Sequence, residues 1–120
     1  MKLFNCDFCY VQVRQDLAWS HIFAPRIIPS KFGVPSKEDD GEWAACEDCH
    51  QLIEAEDVDG LWERSCRLDP LMLKVKNAGD WKRWLFTEIL TEWELIVPPY
   101  KGSPPQYMVR DAQHRGGGIR

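Results

Sequence analysis

The stretch WAACEDCHQLIE, residues 43–54, places Cys46 and Cys49 three positions apart where a short apolar run gives way to a helical pattern. A second pair, CDFC at residues 6–9, stands near the start of the chain. A tetrahedral four-thiolate site needs two tight turns whose sulfurs converge at about 2.3 Å from one ion, and each CxxC supplies two sulfurs from one turn. Cys6, Cys9, Cys46 and Cys49, with 36 residues between the pairs, therefore read as the ligands of one structural metal ion. Zn²⁺ is the expected ion for a short finger of this kind, with iron the other ion that four thiolates suit.

Two other readings of the cysteines are weaker. Plain burial as small apolar residues does not account for the doubled spacing. A thioredoxin-like redox role calls for one reactive CxxC in a βαβ setting, which this chain does not show. A fifth cysteine, Cys66, falls on the apolar face of an expected helix and reads as a core residue.

The 120 residues set the scale of a single domain with a modest core, for which a metal staple is useful. Six Trp are a heavy aromatic load, more than so small a core readily buries. The net charge of −4 is uneven: residues 1–69 carry 7 basic against 14 acidic side chains, and residues 70–120 carry 8 against 5. No apolar run approaches the roughly 18 residues of a membrane span, and the N-terminal MKLFNCDFCYVQV lacks a signal-peptide pattern, so a soluble cytoplasmic protein without membrane attachment is expected.

Between the cysteine pairs, YVQVRQ (10–15) alternates as a strand does, and LAWSHIFA (17–24) is its expected hairpin partner. Residues 25–42, with three prolines and two glycines, read as a long loop with a short edge strand at Ile27 and Ile28. A short helix is expected from Glu47. A second starts at the N-cap Asp57 and ends at Pro70, with Leu61, Trp62, Cys66 and Leu68 on one face. In DWKRWLFTEILTEWELIV (80–97), Trp81, Leu85, Ile89 and Trp93 recur every four residues, which predicts an amphipathic helix capped by Asp80.

The expected class is α+β: a small treble-clef zinc finger of knuckle, β-hairpin and helix over 1–69, an amphipathic helix over 70–97 packing on it, and a Pro/Gly-rich flexible tail over 98–120. His114 in that tail has no expected local role.

WAACEDCHQLIEAEDVDGL, with the N-terminal CxxC, resembles short uncharacterised zinc-finger proteins of actinobacteria and their phages over about residues 1–68, a likeness that implies a fold and no activity. SHIFAPR (20–26) and CEDCHQ (46–51) are similar to the hairpin and CxxCH segments of HNH endonucleases. That resemblance implies His21 as general base and His50 as holder of a catalytic cation. Ser20 replaces the family's acidic neighbour of the hairpin histidine.

A closed tetrathiolate explains folding and leaves function to other residues. The expectation is a small binding module, a regulator or adaptor of a larger protein partner, with Trp84 beside Lys82 and Arg83 as a contact. The alternatives are a divergent HNH-like nuclease and a nucleic-acid binder acting through Lys101, Arg110, Arg115 and Arg120.

Overall fold

A computed structural model describes residues 3–74 and 76–102. The Cys6–Cys9 turn joins two short strands, β1 (Leu3–Asn5) and β2 (Gln12–Arg14), which pair antiparallel with Phe4 opposite Val13. The turn closes through Cys6 N–H to Val11 O (2.8 Å) and Tyr10 N–H to Cys6 O (2.9 Å), with Tyr10 in the left-handed region at φ 72°. This corrects the expected pairing of residues 10–15 with 17–24. Alternation specifies which face a strand buries, whereas here the ligand-bearing turn specifies its partner.

The strand β3 (Trp19–Ile22) instead lies at the centre of a three-stranded sheet. On one side it pairs with β6 (Glu42–Ala45), His21 opposite Trp43, and on the other with β7 (Tyr100–Lys101). The expected tail thus begins inside the sheet, while positions 103–120, including His114, Arg110, Arg115 and Arg120, lie outside the described residues. The supposed long loop is largely a hairpin of β4 (Arg26–Ile28) and β5 (Lys37–Asp39), of which the edge strand at Ile27 and Ile28 is one half. Its tip is a two-residue turn, Phe32 at φ 54° and Gly33 at φ 80°, held by two Lys31–Val34 backbone bonds. Before β6, Gly41 is obligatory: its φ is 83° and an added Cβ would fall on the Phe23 carbonyl.

Three helices follow. The helix α1 (Glu47–Glu54) starts at the second cysteine pair, and α2 (Val58–Leu68) is capped by Asp57, whose carboxylate accepts from Gly60 N–H at 2.9 Å. Leu61 and Ser65 form its buried line, and Leu68, expected inside, is exposed. A short 3₁₀ turn (Pro70–Leu73) leads to α3 (Ala78–Thr91), which buries Leu85, Phe86 and Ile89.

The helix α3 starts at Asn77 rather than Asp80 and stops before Trp93. Thr87 and Thr91 bond back to the carbonyls of Arg83 and Thr87, a competition that loosens a last turn. The following residues are recruited by the sheet: Ala24 N–H donates to Glu94 O and Ile96 N–H to Ile22 O. Trp93 still reaches the core, edge-on to Phe23 and Trp43.

Phe8, between the first two cysteines, is fully buried and packs on Trp43, Phe86 and the edge of His21. One core therefore runs from the cysteine cluster to α3. All six Trp are half-buried against it. Among the described residues no helix is long and apolar enough to cross a membrane.

Candidate metal centre

The knuckle between β1 and β2 presents Cys6 and Cys9, and the junction of β6 with α1 presents Cys46 and Cys49. The structure brings their four sulfurs within 4.8 Å of one another, all four residues buried. The Cys9 and Cys46 sulfurs are 3.7 Å apart, close to the edge of about 3.8 Å that a tetrahedron with 2.3 Å arms requires. The donor set fits one tetrahedral thiophilic ion, and among the described residues no other group of three or more His, Cys, Asp or Glu side chains is placed to hold one.

The surroundings favour negative sulfur. Cys6 Sγ accepts the backbone N–H of Phe8 and of Cys46, each at 3.4 Å. Cys46 is the N-cap of α1, and its Sγ accepts Cys49 N–H at 3.5 Å, where the helix end also favours anionic groups. Arg64, on α2, sets Nη2 3.7 Å from Cys46 Sγ and 3.3 Å from Asp48 Oδ2. Protonation is shared across the cluster. The neighbouring thiols Cys49, Cys6 and Cys9 hold the pKa of Cys46 far below the ordinary thiol value; against the opposing effect of Cys46, Cys9 is lowered to about 6 by Cys49 and Cys6, and Cys49 and Cys6 are held above theirs by Cys46. A divalent cation held there would take the place of the shared protons, and with it the four thiolates would carry about −2, which the Arg64 guanidinium would partly offset.

The histidines of the HNH resemblance also meet. His21 on β3 and His50 on α1 approach to 3.0 Å between Nε2 and Nδ1, both buried. His50 lies flat under Trp19, ring centroids 3.6 Å apart. Burial lowers the pKa of both, that of His21 to about 4, so at neutral pH they form a neutral donor–acceptor pair. Glu54 is 3.9 Å from His50 Nε2. His21 also borders a small cavity of about 200 Å³ walled by Phe23, Ile53, Ile89 and Trp93.

The expected contact at Trp84 is rearranged. Trp84 is half-buried with Lys31 of the hairpin over its ring, Arg83 pairs with Asp59, and Lys82 with Asp69. Cys66 is a half-buried free thiol whose pKa burial raises.

Three features escaped the sequence reading. Phe8 is apolar inside a CxxC turn, a local hint that the knuckle faces a core. Asp7 ties that knuckle to β6, since its N–H donates to Ala44 O (2.8 Å) and its Oδ2 accepts Ala44 N–H (2.7 Å). Arg64 gave no signal, because its partners are 16 and 18 positions away. Comparison of the chain with protein-family models, with curated proteins and with solved structures finds no match.

Proposed function

We propose that this chain is a small zinc-stabilised binding module, a regulator or adaptor acting on a larger protein partner in the cytoplasm. The observation that carries the reading is the closed character of the cysteine centre. All four sulfurs are buried and converge on one point, so a tetrahedral ion there has no position left for substrate or water. The order of knuckle, strand pair and ligand-bearing helix suits a treble clef, with the β4–β5 hairpin inserted in the chain between β3 and β6.

The first test is native mass spectrometry with metal analysis on the full chain. One tightly held zinc, lost on Cys46→Ser, is expected, and a chain without metal would sink the reading. The zinc-loaded chain is then used as bait in extract of its source cells. A protein recovered in fixed ratio, and not by the Cys46→Ser chain, supports the module, whereas no such protein counts against it.

A second reading, a divergent HNH-like nuclease, is favoured by the meeting of His21 and His50. Their mutual hydrogen bond and burial oppose it, since a general base must reach a water at the scissile phosphate. Cleavage of plasmid DNA with Mg²⁺ or Mn²⁺, abolished by His21→Ala in a folded chain, would establish it.

A further inference from the structure

A cleft of about 410 Å³ opens between Trp43, the β5 strand and the first half of α3. That volume lies in the range of ligand pockets, about 300–1,000 Å³. We propose that this cleft takes up a lysine or arginine side chain presented by a protein partner, its cation met by Asp7 and Asp39 and its stem by Trp43 and Trp81. The inference rests on the binding-module reading and names the chemistry of the partner.

The walls are aromatic and the polar groups acidic. Four carboxylates line the cleft against two lysines, a formal net of −2. One lysine is already committed, because Lys82 holds the largely buried Asp69 at 3.1 Å. The other, Lys37, is exposed and sets its ammonium 5.3 Å from the centre of the Trp81 ring. That ring face is thus a seat for a cation, occupied by an exposed side chain of the protein itself.

Asp7 and Asp39 are served differently from Asp69. Asp7 accepts Ala44 N–H, and Asp39 Oδ2 accepts Gly41 N–H (3.0 Å) and the Trp43 indole N–H (3.0 Å). Among the described residues neither makes an ion pair: both carboxylates are oriented by neutral donors, and the charge of Lys82, which Asp7 feels, is already paired with Asp69. Asp7 is exposed, so an incoming cation can reach its carboxylate.

Lysine and arginine match both halves of the cleft, since each carries an apolar stem and a charged head. Exposed Tyr10 stands on the same lining, and Tyr and Trp dominate the centres of protein interfaces.

The test is a titration of the full zinc-loaded chain with three blocked pentapeptides that differ only at the central residue: lysine, arginine or norleucine. The indole N–H resonances of Trp43 and Trp81 are followed by NMR. The cationic peptides are expected to shift both resonances with Kd of about 1 mM or tighter, the norleucine peptide at least fivefold more weakly, and Asp7→Asn to weaken the lysine peptide by about fivefold. Lys37→Ala leaves or improves binding. Equal binding of the norleucine peptide, or no shift with any peptide, overturns the proposal. So does binding of free spermidine without binding of either cationic peptide. Binding seen only after Arg110, Arg115 and Arg120 are changed to Gln overturns it too, since the chain's own basic segment would then be the occupant. If the bait experiment recovers a partner that Asp7→Asn leaves undisturbed, the module reading stands and the cleft assignment falls.

Discussion

Cys6 and Asp7 are neighbours in the chain and face opposite conditions. The Cys6 sulfur points into a buried cluster where two backbone N–H groups and three other cysteines surround it. The Asp7 carboxylate lies on an open cleft where a single backbone N–H steadies it and two further acids crowd it. On one side of the knuckle the sulfurs are served by donors within the fold, and on the other the carboxylate has one neutral donor and acidic neighbours. A small domain can carry a crowded acidic site only if another part of it is over-stabilised, and an ion held by the four cysteines would supply that surplus.

The sharpest way to break the contrast is to remove the metal. Chelation of zinc, or Cys46→Ser, is expected to abolish cooperative unfolding altogether, since structural zinc is worth on the order of 10 kcal/mol in small fingers. Circular dichroism and heat denaturation read the loss. A metal-free chain that melts cooperatively would show that the core under α3 holds alone.

Phe8→Ala strikes the residue through which the two sides share one core. It leaves all four thiolates in place and is expected to cost about 3–5 kcal/mol in denaturant unfolding. A loss under 1 kcal/mol would mean that the knuckle is held by its metal and not by the core.

Gly41→Ala tests the strand that carries one wall of the cleft. The positive φ and the contact with the Phe23 carbonyl are expected to cost at least about 2 kcal/mol, with the Trp43 indole resonance displaced while zinc remains bound.

Arg64→Met keeps the volume and removes the positive charge beside Cys46. A cost of about 1–2 kcal/mol and faster transfer of zinc to a competing chelator are expected. Unchanged transfer would assign the guanidinium to Asp48 alone.

The smallest expected effect is that of Asp7→Asn. The folded pKa of Asp7 is raised to about 6 from an ordinary value of 3.8. Protonated Asp7 therefore favours the fold below pH 3.8, and that contribution is lost as pH rises through 6. The asparagine variant is expected to match the parent near pH 4 and to melt slightly higher at pH 7. A lower melting temperature at pH 7 would show that the bond to Ala44 outweighs the crowding of charge.

These comparisons also mark what could be read from the chain before its structure. The cysteine quartet, the Asp57 cap and the Leu85–Ile89 stripe are local patterns of fixed spacing, each dictated by the turn or helix that carries it. The partner of β2, the end of α3 and the burial of His50 depend on contacts made from far along the chain. His50 illustrates the difference: adjacent to a ligand on a helix of polar composition, it reads as exposed until Trp19, 31 positions earlier, is laid over it. The cleft is illegible for the same reason, since Asp7, the Asp39–Trp43 segment and Trp81 come from three separate stretches. By its spacing Trp81 belongs to the helix stripe, and nothing local marks it as a wall.

The pairing of Tyr100–Lys101 with β3 has a consequence for the sheet's behaviour in concentrated solution. Those two residues bond to Trp19 and Ser20 along the side of β3 that faces away from β6, and Lys101 adds a charge over Glu47 beside them. Charged and covered borders are how sheets avoid templating one another. A chain cut before Tyr100 would bare that row of N–H and C=O groups next to an aromatic strand, inviting a second copy to add its own strand there. The short strand β7 therefore acts as a guard against self-association, a service to solubility that its two residues perform wherever the rest of the segment lies.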